Sequence, residues 1–172
     1  VEVKTISRQE ALNSSQRITF ENEFIKGSIS LNGGLIDDLE LKTYNKILDS
    51  KNKIQLLNPA STNEGYTFNT GWATKSDVRT PNSNTEWKVD GSKTLTPNNP
   101  VKLFYVNDKN IRFEREIAID NKYLFSVKQT VINQSDISFK LYPYATINRN
   151  NLPSDLTDFY ILHEGYTLSL IH

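Results

Sequence analysis

The chain has 172 residues, enough for one sizeable core or a large fragment of one. Its 20 basic and 20 acidic side chains cancel, which argues against a nucleic-acid surface or a polybasic membrane patch as its main business, although a local patch can hide in a neutral total. With no cysteine there is no disulfide, no thiol nucleophile and no Cys-based zinc site, and no apolar run reaches the roughly 18 residues that a membrane-spanning helix needs. The sequence contains no Met and opens without a charged-then-apolar signal, so a processed or excised fragment is the expectation.

Residues 1–16 read as a lead-in. Ser7-Arg8-Gln9-Glu10 has the spacing of a capping box, and Ala11 and Leu12 continue a helix of two turns at most; disorder fits this segment equally. Residues 17–41 are the stretch around which the rest is organised: strand, tight turn, strand. Phe24, Lys26, Ser28 and Ser30 share one parity, and Ile25, Gly27, Ile29 and Leu31 share the other. Asn32-Gly33-Gly34 then supplies residues that tolerate positive φ, as a hairpin turn requires. Residues 35–44 form the next strand, and Leu56 and Leu57 close another, which Asn58-Pro59 ends. Gly65 to Ala73 alternates Tyr66, Phe68 and Thr70 against Thr67, Asn69 and Gly71, with Trp72 following.

Residues 74–100 hold Pro81, Pro97, Pro100 and Gly91 and read as a long surface excursion with one or two short strands, one of them at Trp87-Lys88-Val89. The clearest strand signal lies at 101–149. Ile111, Phe113, Ile117 and Ile119 share a parity against Arg112, Glu114 and Glu116. After a turn at 120–122, Phe125, Val127 and Val131 alternate with Ser126, Lys128 and Thr130. After another at 133–136, Phe139, Leu141, Ala145 and Ile147 alternate with Lys140, Tyr142, Tyr144 and Thr146. The expectation is a meander of three antiparallel strands, one face buried and one wet, with Pro143 at an edge or a bulge. Strands with short turns throughout, and 19 Asn to serve those turns, imply an all-β sandwich.

Few residues carry the pattern of a chemical site. His163-Glu164 lacks the second His of a zinc-protease helix, its place being taken by Thr167. Asp37 and Asp38 are neighbours on a strand, so they point to opposite faces and do not make an acid–base pair; Asp38 is placed to hydrogen-bond the Gly33-Gly34 turn. Arg115 occupies the apolar parity between Phe113 and Ile117. It lies near a strand edge, is paired internally with a carboxylate, or lines a groove that meets a ligand. Trp72, Trp87, Tyr66 and Phe68 form either core packing or an aromatic platform of the kind that stacks on sugars. Tyr142 and Tyr144, on the polar parity, are candidates for an exposed aromatic patch. Tyr142, Tyr144, Trp72 and Arg115 together make up the candidate partner or ligand surface, and no catalytic, metal or cofactor residue is assigned.

A resemblance joins these segments. SRQEALNSSQRI (7–18), GSISL (27–31), the Gly-Gly turn, LIDDLELKTY (35–44), IQLLNPA (54–60), GYTFNTGWA (65–73) and DLTDFYILHEG (155–165) follow one another in an order that resembles the periplasmic domain of the bacterial membrane protein insertase YidC. The order, rather than any single motif, makes the match specific. It implies a β-supersandwich similar to galactose mutarotase, with 1–16 as lead-in and 17–172 as the N-terminal part of the domain, which continues beyond the tail YTLSLIH. It also implies a periplasmic, inner-membrane-tethered module without catalysis or cofactor, whose parent inserts and folds membrane proteins. The partners so implied are nascent membrane proteins and Sec translocon components such as the SecD–SecF complex. A carbohydrate-binding or mutarotase-like protein is the alternative, and an edge-pairing adhesion or chaperone module a weaker one.

Overall fold

The computed structural model describes residues 5–46 and 51–151. The lead-in contributes α1 (Arg8–Asn13), where the capping box forms. The Ser7 hydroxyl accepts from the Glu10 amide at 3.3 Å, and the Glu10 carboxylate accepts from the Ser7 amide at 2.9 Å. Ala11 is buried and the Ile6 amide donates to the Ser61 carbonyl, so this short helix is docked on the strands.

In β1 (Arg17–Glu21) Ile18 and Phe20 point inward and Thr19 and Glu21 outward, the period of two read from the sequence. The single run expected up to Leu31 is broken, however. Asn22 accepts from the amides of Phe24 and Ile25 and turns the chain straight back into β2 (Ile25–Ser30), antiparallel to β1. A second hairpin follows. Gly33 and Gly34 both take positive φ, +76° and +63°, and lead into β3 (Leu35–Asn45). β4 (Lys53–Leu57) and β5 (Tyr66–Ala73) both pair with β3, at different parts of its length.

The 74–100 excursion is less superficial than its composition implies. It holds the short strands β6 (Lys88–Asp90) and β7 (Thr94–Leu95), but Trp87 and Leu95 are among the most deeply buried side chains of the described residues. The Trp87 amide donates to the Leu31 carbonyl and the Gly33 amide to the Thr85 carbonyl, so the excursion folds back on the glycine turn.

The meander is real but shifted by one strand. It comprises β8 (Val101–Val106), β9 (Ile111–Ile119) and β10 (Phe125–Asn133), with β6 alongside, in the order β10-β9-β8-β6. β11 (Tyr142–Arg149), expected as its third strand, crosses to the other sheet and pairs with β5 from Tyr142↔Ala73 to Arg149↔Tyr66. That sheet runs β11-β5-β3-β2-β1-β7, with β4 beside β3. All residues of β11 are exposed, so the one-face-buried expectation fails there. Among the described residues Pro143 sits on the end strand of the sheet, where a missing N–H is tolerated.

The two sheets close over one core. Ile18, Phe20, Ile29, Ile36 and Trp72 of the larger sheet meet Leu103, Ile111, Phe113 and Ile117 of the smaller. Phe20 and Phe125 touch edge-on at 5.2 Å between centroids, and so do Trp72 and Phe113. At one end Asn22 donates to the carbonyls of Asp120 and Lys122, tying the first hairpin to the β9–β10 turn. Three facts establish an all-β sandwich: two layers, antiparallel pairing with the one exception, among the described residues, of β1 with β7, and a shared apolar interior.

Candidate functional site

The four residues singled out from the sequence fall into two environments. Trp72 and Arg115 lie inside the sandwich, while Tyr142 and Tyr144 are exposed on β11.

Arg115 is 3% exposed, at the middle of β9 and within the set Ile111, Phe113, Ile117 and Ile119. β9 has strands on both sides, so the expected edge position is not found. Neither is the expected carboxylate. The guanidinium donates instead to three backbone carbonyls: Gly34 at 2.9 Å, Gly33 at 3.3 Å, and Thr70 in a short contact. These carbonyls are accessible because the glycine turn aims them inward and β5 passes beside it. The charge also lies over aromatic rings, 4.4 Å from the Trp87 centroid and 5.8 Å from that of Trp72. Burial pushes its pKa down to about 10, which leaves it protonated at neutral pH. Arg115 therefore links β9 of one sheet to the β2–β3 turn and β5 of the other.

The glycine turn is shaped by this arginine. A Cβ on Gly34 would stand 2.6 Å from Arg115 Nη1 and 2.9 Å from Trp87 Nε1. Trp72 and Trp87 stack on each other at 6.4 Å and are buried. Their faces are taken up by each other, by Phe113 and by Arg115, so they pack the core and offer no platform to a sugar.

On β11, Tyr142 and Tyr144 are 53% and 37% exposed on one face of the strand, and Ile147, on the opposite face, is also exposed. The Tyr144 ring lies across Gly71, where an added Cβ would come within 2.5 Å of its oxygen. The Gly71 carbonyl accepts from Gln129 of β10 at 3.0 Å, a further cross-link between the sheets.

Asp37 and Asp38 do not follow simple alternation. A register shift next to Ser28 pairs Ser28 with Asp38 but Ile29 with Ile36, which leaves Asp37 as the extra residue of a bulge. Both carboxylates are then engaged by arginines: Arg17 pairs with Asp37 and Arg8 with Asp38. Ser28 bridges the two pairs, accepting from Arg17 at 2.7 Å and donating to Asp38 at 2.6 Å. Asp38 thus anchors the lead-in helix and does not bond the Gly33-Gly34 turn. Burial pushes the Asp37 carboxyl above its ordinary value against the pull of Arg17, with Asp38 adding repulsion.

Among the described residues no cluster of three or more His, Asp or Glu is arranged to hold a metal ion. His163-Glu164 lies outside the described residues.

This architecture, with its interior closed by aromatic rings and a carbonyl-bound arginine and with aromatic side chains exposed on an end strand, is that of a β-sandwich domain. The chain belongs to the YidC periplasmic domain family, whose model matches residues 17–171. It is 46% identical over 162 residues to the membrane protein insertase YidC of Pelagibacter ubique (strain HTCC1062), covering 94% of this chain and 29% of that protein. The insertase of the same name from Ruegeria sp. (strain TM1040) is 43% identical over 145 residues, 82% of this chain and 24% of its own length. That of Brucella suis biovar 1 (strain 1330) is 39% identical over 163 residues, 93% and 27% respectively. The chain thus spans under a third of the length of these relatives. By family it is a periplasmic domain of an inner-membrane protein.

Proposed function

We propose that this domain is a non-catalytic accessory of a membrane protein insertase, and that its parent inserts and folds nascent membrane proteins. The domain meets Sec translocon components, such as the SecD–SecF complex, from the periplasmic side. The family match over residues 17–171 and the relatives' shared name, membrane protein insertase, support the first part. One geometric observation supports a contact role: β11 ends its sheet among the described residues and exposes Tyr142 and Tyr144 on one face and Ile147 on the other. An end strand carrying large side chains suits an extended partner segment, with backbone bonds supplying affinity and the aromatic rings the contact area. Trp72 and Arg115 serve this surface indirectly, by holding β5 and the glycine turn in place beneath it.

Photo-cross-linking tests this in inner-membrane vesicles carrying the membrane-bound parent. A photoreactive residue at Tyr142 or Ile147 is expected to yield adducts with a translocon subunit, whereas one at Lys102, on the other sheet, is not. Adducts formed equally from all three positions, or none from β11, overturn the assignment.

A further inference from the structure

Three grooves on the described surface differ in charge. The first, lined by Arg8, Lys26, Glu21, Asp38 and Glu40, is internally neutralised: Arg8 pairs with Asp38, Lys26 with Glu40, and Glu21 with Lys42 just outside. The groove between Ser14, Asn84 and Glu86 carries no cation. The third, of about 440 Å³, is lined by Arg8, Lys46, Lys53 and Arg149 against the one carboxylate of Glu64. Lys46, Lys53 and Arg149 make no ion pair with any carboxylate of the described residues.

Lys53, Arg149 and the neighbouring Arg8 are held in place. Lys53 Nζ donates to the Asn45 side chain at 2.8 Å. The Arg149 guanidinium lies 5.0 Å over the Tyr66 ring, and its Nε donates to the Asn151 carbonyl at 3.0 Å. Arg8 Nε donates to Asn58 at 3.1 Å. The rest of the wall mixes the polar Gln55 and Asn58 with an apolar part made of Ile54, the Tyr66 ring and Leu56, which is 42% exposed. Four chain segments widely separated in sequence thus bring cationic tips and an apolar wall to one place, in a chain whose total charge is zero. That combination matches an anionic amphiphile: phosphate oxygens take the lysines and the arginine fork, and the adjoining aliphatic part lies on Leu56 and Tyr66. A periplasmic domain of an inner-membrane protein is within reach of one abundant source of this chemistry, the membrane surface itself.

We propose that this groove binds the headgroup of an anionic phospholipid and so fixes how the domain stands on the membrane. This contact uses Arg149 at the end of β11 but neither Tyr142 nor Tyr144, so it does not depend on the partner contact proposed there.

The test is co-sedimentation of the chain with vesicles of phosphatidylcholine alone and of phosphatidylcholine mixed equally with phosphatidylglycerol, at low and at molar salt. Binding is expected on the mixed vesicles only, and molar salt reverses it. Each neutralised cation lowers partitioning roughly fivefold, so Lys53→Gln with Arg149→Gln lowers it by more than about tenfold. Lys102→Gln with Lys128→Gln removes the same charge from the other sheet and leaves binding unchanged. Circular dichroism and the urea midpoint establish that both pairs fold, and Lys46→Gln is an independent exposed variant expected to lose roughly fivefold. An equal loss in both pairs means diffuse attraction and overturns the site. Absence of vesicle binding overturns it too. Inorganic phosphate that perturbs tyrosine fluorescence without any vesicle binding reassigns the groove to a free anion and overturns the lipid reading.

Discussion

Replacing Arg115 tests whether a buried cation joins the two sheets. Its guanidinium makes two strong contacts, to the carbonyls of Gly34 and Thr70, and a longer one to Gly33. Hydrogen bonds to a charged group contribute about 1.5–3 kcal/mol each, so the two strong contacts set a gross loss of about 3–6 kcal/mol on removal. The variant no longer desolvates a charge, which offsets several kcal/mol of that. Arg115→Met keeps most of the volume and removes the charge; its net loss is expected at about 2 kcal/mol, with the stranded carbonyls outweighing the relief. Arg115→Ala adds a cavity under Trp72 and Trp87 and is expected to lose about 3–5 kcal/mol. Urea unfolding followed by tryptophan fluorescence reads both. With a slope of about 2 kcal/mol per molar, the Met variant moves the midpoint by about 1 M. Arg112 is the control: it lies on the same strand as Arg115 but faces outward, stacked 3.9 Å over Phe104 and paired with Glu114. Arg112→Met is expected to cost about 1 kcal/mol or less. A Met variant at position 115 as stable as the wild type, at unchanged slope, would show that the carbonyl bonds only break even with burial, and the clamp would have to be abandoned.

Two further outcomes follow from the same region. Gly34→Ala places a Cβ at positive φ and 2.6 Å from Arg115 Nη1, whereas Gly91→Ala meets nothing within 4 Å at its own positive φ. The first is expected to cost more than about 2 kcal/mol and the second about 1 kcal/mol, by thermal or urea unfolding; equal losses refute the crowding around Arg115. For Asp37 the folded carboxyl titrates above its ordinary value, so the native state holds its proton longer than the unfolded chain does. Its contribution is full below the ordinary aspartate pKa of about 3.9 and is lost as pH rises through the higher folded value. The stability of the wild type relative to Asp37→Asn should therefore fall across that window, measured by urea midpoints from acid to neutral pH; a flat or rising difference refutes the assigned direction.

Much of the fold was legible because strands advertise their faces. Alternation in 111–119 and 17–21 names the inward residues, the glycine pair names a positive-φ turn, and Ser7 with Glu10 names a helix start. These are local properties, set by the two-residue repeat, the missing Cβ of glycine and the reach of a serine hydroxyl across one turn. The family was legible too, through the order of its segments.

Alternation says which side of a strand is wet but not which strand lies next to it. The sequence placed β11 with β10; the structure pairs it with β5, because that choice depends on ladder bonds between residues far apart in the chain, such as Tyr142 with Ala73. Residues 74–100 read as a surface excursion among prolines and asparagines, with Trp87 left between core and platform, yet the chain folds back and buries both Trp87 and Leu95. The oddity of Arg115 was visible in its parity, but its partners are backbone carbonyls, which no side-chain pattern records. One extra residue at Asp37 lets the Arg17–Asp37 pair and Asp38 meet at Ser28, which accepts from Arg17 and donates to Asp38, where alternation had set the two carboxylates apart. The cationic groove likewise exists only in three dimensions: Arg8, Lys53, Tyr66 and Arg149 are scattered along the chain, and a neutral total conceals them until the strands converge. Alternation and turn residues were enough for most of the strands, for the inward faces of β1 and β9 and for the family; long-range pairing decided which strands meet, that β11 stands exposed and which charges gather, because those energies belong to contacts between distant residues.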